Sequence, residues 1–154
     1  MKALSLHQPH AIAIGLGLKK YETRGWQLRP EEIGVPVVIH AAKKVFREKD
    51  YEWEYFKEVK QRLSEAGVPL HKLDYGKAVC ICVFSACQQT RFVRGTIGQA
   101  EFWGDFRDVG DDGRERYAFK ILQAKLIPAA ERPEIVGRQG FFNVPNDLGL
   151  WWSE

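Results

Sequence analysis

AVCICVFSACQQ, residues 78 to 89, is a long β-type run, and it limits the fold more than any other stretch of the chain. Its apolar and β-branched residues suit a strand. RERYAFKILQAKLIP, residues 114 to 128, places Tyr117, Phe119 and Ile121 on alternate positions, so it supplies a partner strand. The connection between the two, RFVRGTIGQAEFWGDFRDVGDDG, is long for a hairpin. A short helix near 97–102 and a turn at DDG fit it.

The other elements are shorter. KALSL (2–6) suits a strand, and Pro9 suits the first turn of a helix, where its missing N–H costs little. That helix, HAIAIGLGL, is expected to end near Gly17. VPVVIHAAK is β-branched and reads as a buried strand over 36–40. From Arg47 to Ala66 the spacing becomes helical: Tyr51, Tyr55, Val59 and Leu63 share a broad face with Trp53, Phe56 and the stem of Lys60, and Gly67 is the stop. HKLDYGK (71–77) reads as a turn, and GFFNVP (140–145) as a last short strand. WWSE at the end either packs over the sheet or forms a partner surface. Too few helices alternate with strands for a doubly wound sheet. The expectation is an α+β, mainly β, mixed or closed β structure with flanking helices. The 154 residues fit a single domain over 1–154.

Composition excludes some classes. No stretch approaches the roughly 18 apolar residues of a membrane helix. The opening MKALSLHQPH lacks an apolar signal core of about 7–15 residues. The expected location is the cytoplasm, with no membrane partner. Cys80, Cys82 and Cys87 are odd in number and clustered, which argues against a disulfide framework and suits small buried hydrophobes. No metal or other cofactor is expected. The net charge of +3 does not by itself indicate nucleic acid. Its distribution is more telling. Lys19, Lys20, Arg24 and Arg29 stand against Glu22 alone, and Lys43, Lys44, Arg47 and Lys49 against Glu48. Asp105, Asp108, Asp111 and Asp112 lie far away in sequence.

The charge-dense stretch LKKYETRGW (18–26) is the best candidate for chemistry. If the chain is extended from Tyr21, Glu22 and Arg24 point to one face and Thr23 to the other. Lys19, from the helix end, reaches the Glu22 face. Arg24 favours a neutral Lys19 amine and Glu22 a charged one. A neutral amine serves as base or nucleophile; a charged one holds a phosphate or carbonyl oxygen. The plain alternative is a solvated ion-pair cluster, worth under ~1 kcal/mol per pair.

LSLHQPHAIAIGLGLKKYETRGW resembles the opening of ASCH domains: a short strand, Gln8 and Pro9 opening a helix, Gly17, then Lys19, Glu22, Arg24 and Trp26. A strand ending in His-Ala (VVIHAAK, with His40 and Lys43) and a late glycine-bounded element (GRQGFFNV) continue the likeness over most of the chain. The resemblance implies a PUA-like small β-barrel with helices around a cleft lined by the Lys19–Arg24 segment. It also implies a link to RNA and nucleobase-like ligands. Some small members hydrolyse the amide of N4-acetylcytidine with a lysine, a threonine and a glutamate; at least one is a single-strand ribonuclease; others bind nucleic acid only. Lys19 falls at the amidohydrolase lysine, but Glu22 stands where that subgroup has its threonine, and Thr23 is one place off. Glu101 in IGQAEFW is the nearest match to the subgroup's acid.

On these grounds the candidate catalytic groups are Lys19, Glu22, His40 and Glu101. His40 ends an apolar strand and suits proton shuttling or donation to a ligand. With Lys19, Glu22 and Arg24 it supplies the base, acid and phosphate neutralisation that RNA cleavage through the 2′-hydroxyl needs. Candidate ligand contacts are Gln8, Pro9, Lys20, Thr23, Arg24, Lys43 and Lys44, with Trp26 and Trp103 for stacking and Arg138 and Gln139 in the glycine-bounded loop. Sequence-tolerant binding of a single strand wants such cations and aromatic faces. The expected partner is single-stranded RNA or a nucleoside-like small molecule. Binding alone, hydrolysis of the ligand, and a non-catalytic interaction module all stay open.

Overall fold

The computed structural model describes residues 1–146, so the terminal WWSE lies outside the described residues. Six strands and two α-helices occur in the order β1 (Lys2–Leu6), α1 (His10–Gly15), β2 (Tyr21–Arg24), β3 (Pro36–Ala41), α2 (Trp53–Glu65), β4 (Ala78–Gln89), β5 (Tyr117–Leu126) and β6 (Phe141–Asn143). They form one sheet in the order β2-β5-β4-β3-β1-β6. β1 and β3 run parallel; the other pairs are antiparallel. The expected pairing of 78–89 with the strand after 114 is present and forms the spine of the sheet.

Register shifts between Val83 and Phe84 and between Phe84 and Ala86 bend this spine. Bulges of this kind increase local twist. The sheet curls accordingly into a half-barrel, open between β2 and β6, rather than a fully closed barrel. The two edge strands approach through side chains: the Trp26 ring, just beyond β2, meets Phe141 of β6 edge-on with centroids 5.7 Å apart. Leu4, Ile39, Cys80, Cys82, Phe84 and Phe119 fill the concave side. Burying each large apolar side chain contributes roughly 1.5–3 kcal/mol. Burial in that apolar interior pushes the Cys80 and Cys82 thiols well above their usual range.

Helix α1 is short and apolar, with Ala11 to Ile14 all buried. A Cβ on Gly15 would come within 2.4 Å of Leu126 Cδ2 and 2.9 Å of the Cys80 Cβ, so glycine allows the helix to lie directly on β4 and β5. The helix stops two residues before the expected Gly17 because the Ala13 carbonyl accepts the amides of both Leu18 (3.0 Å) and Lys19 (3.1 Å). That turn hands the chain to β2. Pro9 precedes the helix instead of occupying its first turn, and its bond to Gln8 is cis. The second helix starts at Trp53 rather than Arg47, since residues 48–50 make a separate 3-10 turn. Phe56, Val59 and Leu63 face the core as the spacing predicts, but Trp53 remains 54% exposed. Among the described residues no helix is long and apolar enough to cross a membrane.

Candidate functional site

Strand β2 sets the geometry of the site. It pairs with β5, placing Glu22 opposite Phe119 and Thr23 opposite Ala118. The strand alternation expected from LKKYETRGW holds. Arg24 Nε donates to Glu22 Oε2 at 2.8 Å, and Lys19 Nζ lies 3.3 Å from Glu22 Oε1. Thr23 turns to the other side of the strand, where its hydroxyl accepts the Asp105 amide at 3.1 Å, and it still lines the cleft beside Gly104 and Asp105. Lys19 also donates to the Trp103 carbonyl, and Arg24 Nη2 donates to the Ser5 carbonyl at 2.9 Å. These bonds tie the knot to β1 and to the 98–103 turn.

The knot is buried, with Lys19 2% and Glu22 5% exposed. Surface screening therefore does not apply, and each charge depends on its neighbours. Burial pushes the Glu22 carboxyl up, but Lys19, Arg24 and His10 outweigh it and hold it at about 2. Burial pulls the Lys19 ammonium down, against the opposing pull of Glu22 and with help from Arg24 and Arg116. Glu22 is a carboxylate at neutral pH, and Lys19 gives up its proton more readily than a surface lysine. Burial also lowers His10, and nearby Lys19 adds to the effect, bringing it to about 4.

His40 enters from the opposite wall. A register shift between Ile39 and His40 interrupts the pairing of β3 with β4. Its Nδ1 is 2.7 Å from the Ser5 hydroxyl, its register partner on β1. Burial lowers its pKa, with the Ile135 backbone working against that effect. A Cβ on Gly137 would lie 2.6 Å from His40 Cε1 and 3.1 Å from Ser5 Oγ. Glycine there lets the 136–140 loop lie against the imidazole and bring Arg138 and Gln139 to the same hollow.

These groups line one cleft of about 1030 Å³. Lys19, Glu22 and His40 form its buried floor; Arg24 is partly exposed above them. Lys43, Arg114, Arg116 and Arg138 add further positive charge, so six basic side chains meet two carboxylates, Glu22 and Asp105. Trp26 is half-buried in the wall, with the Arg24 guanidinium carbon 5.8 Å from its ring centroid.

Several sequence candidates sit elsewhere. Trp103 is 1% exposed and packs edge-on against His10 and Phe102, which leaves no face for a base. Glu101 turns back to accept the Gly95 amide at 2.6 Å and does not line the cleft. Gln8 is buried and bonds the Ile12 amide and the Asp74 carbonyl, bracing the start of α1; buried Pro9 accompanies it. Lys20 and Lys44 are exposed outside the cleft lining. Conversely, Ser5, His10, Asp105, Arg114 and Arg116 line the cleft without being candidates from the sequence. His10 stood in the quoted LSLHQPH segment, but Arg116 reaches the cleft only because β5 pairs with β2: its Nη2 donates to the Thr23 carbonyl at 3.2 Å.

Among solved structures, an ASCH protein from Zymomonas mobilis is similar over 96% of this chain and 90% of its own, with a TM-score of 0.59 and 14% identity. The chain has the ASCH fold. Two point variants of that Zymomonas protein are similar to the same extent. Its serine-to-alanine variant has a TM-score of 0.58 and 14% identity over the same shares of the two chains. Its tyrosine-to-phenylalanine variant has a TM-score of 0.59 and 14% identity over 96% of this chain and 92% of that one. No protein-family model and no curated protein matches the sequence. In the ASCH fold as this chain builds it, the cleft opens where β2, the β1–β3 pair and the 136–140 loop converge.

Proposed function

We propose that the chain binds single-stranded RNA, or a ligand that carries a nucleobase, in the basic cleft. One observation supports this above others: Lys19, Glu22, Arg24 and His40 line a single hollow whose walls add Lys43, Arg114, Arg116 and Arg138. Clustered cations beside an aromatic wall suit a phosphate-bearing strand with bases to stack. Binding of a labelled single-stranded oligoribonucleotide should weaken steeply between about 50 and 200 mM salt. A flat titration, or none, overturns the proposal.

Hydrolysis of that ligand is the second reading. It is favoured by Lys19, a buried amine with a lowered pKa held 3.3 Å from a carboxylate. Glu101 lies away from the cleft and Glu22 stands at the threonine position, so the lysine–threonine–glutamate route to N4-acetylcytidine lacks its acid here and has a threonine only one place off, at Thr23. Lys19→Met should abolish any turnover of acylated cytidine or RNA, measured under conditions where circular dichroism shows the variant folded. Retained turnover excludes Lys19 as the essential group.

A further inference from the structure

A second, smaller hollow of about 300 Å³ adjoins the cleft at the seam between β2 and β6. Trp26 and Gly140 line both hollows. Phe141, Gln27, Arg29 and Glu32 complete the smaller one. We propose that this seam hollow receives the base next to the one held in the cleft, so that the ligand is a single-stranded oligonucleotide of at least two residues and not a free nucleoside. The inference rests on the nucleic-acid reading of the cleft and deepens it.

The chemistry of the hollow suits a base. Trp26 is held in place by edge contacts to Phe119 and Phe141, with ring centroids 5.3 and 5.7 Å away, so a rigid aromatic surface lines both compartments. Rigid aromatic faces stack bases with little ordering cost. Gln27 is exposed; its Nε2 donates to the Tyr117 hydroxyl at 3.2 Å, which leaves its amide oxygen to accept from the edge of a base. Among the described residues Glu32 is the one carboxylate in the lining, and it is spent locally. It accepts the Arg29 amide at 2.8 Å and the Arg29 guanidinium at 3.1 Å, so its charge is compensated and does not repel a strand. The phosphate joining the two nucleotides would pass close to Arg24, which flanks Trp26. A mononucleotide would leave the seam empty.

The test compares three probes at low salt: uridine monophosphate, the dinucleotide UpU, and the counterpart of UpU in which the second ribose carries no base. UpU and its baseless counterpart have the same phosphate charge, so their difference reports the second base alone. A stacked base is worth about 1–3 kcal/mol, which corresponds to roughly 5- to 150-fold tighter binding of UpU. Gln27→Ala should reduce that preference and leave uridine monophosphate binding unchanged. Equal affinities for UpU and the baseless probe overturn the inference while leaving the cleft reading intact, and a full preference in Gln27→Ala overturns the assignment to the seam. Failure of all three probes to bind overturns the cleft reading itself, and the inference with it.

Discussion

The floor and the rim of the cleft carry charge in opposite ways. On the floor, Lys19 and Glu22, with Arg24 directly above them, are bound to one another and to the backbone of Ser5 and Trp103. At the rim, Lys43 and Arg138 line the same hollow but enter no ion pair among the described residues. A buried, mutually satisfied charge cluster is a structural commitment: apart from the partly exposed Arg24 it has little left to offer a polyanion, and breaking it leaves charges without water. Rim cations keep their water and counterions, which a strand can displace. Attraction therefore belongs to the rim, and orientation to the floor.

The largest expected effect comes from breaking the floor. Glu22→Gln removes the carboxylate that Lys19 and Arg24 share, and should cost about 3–5 kcal/mol in stability by urea denaturation. A loss below about 1 kcal/mol would mean that the floor behaves like a surface ion pair and that the contrast with the rim is false.

Acid should act next, again on the floor. His10 titrates at about 4 in the fold against 6.5 when exposed, so the unfolded chain binds its proton first. The His10 contribution to stability is full above about pH 6.5 and declines as pH falls towards 4. Glu22, held at about 2 against 4.5, adds a second decline between about pH 4.5 and 2. Each shift corresponds to up to ~3 kcal/mol. His10→Gln should shrink the upper leg, leaving the part that His40, also lowered by burial, contributes, and spare the lower one, measured by denaturation across pH. A stability unchanged from about pH 7 to 4 would contradict the half-buried, neutral His10.

The contrast also separates what the chain announces from what it conceals. The floor was largely legible, because a strand alternates with period two and YETR therefore had to put Glu22 and Arg24 together and Thr23 behind. His40 was legible as the end of a β-branched run. The two tryptophans were not distinguishable: both stand beside charged or glycine-rich stretches, and only the folding of the 98–103 turn beneath α1 buries Trp103 while Trp26 stays in the wall. Glu101 matched a pattern in one dimension but bends onto Gly95 within its own loop. Ser5 and Arg116 reach the cleft through pairings β1–β3 and β2–β5, which no local signal encodes. The half-barrel depends on bulges in β4, and these too are invisible in a run of apolar residues.

The division between rim and floor is tested most directly by the salt dependence of single-stranded RNA binding in the wild type and in the double variant Lys43→Ala, Arg138→Ala. Each phosphate contact on a single strand contributes about 0.7 to the slope of log affinity against log salt. The double variant should keep its stability within about 0.5 kcal/mol and show a slope shallower by roughly 1.4. An unchanged slope would contradict the account, because attraction would then not arise at the rim.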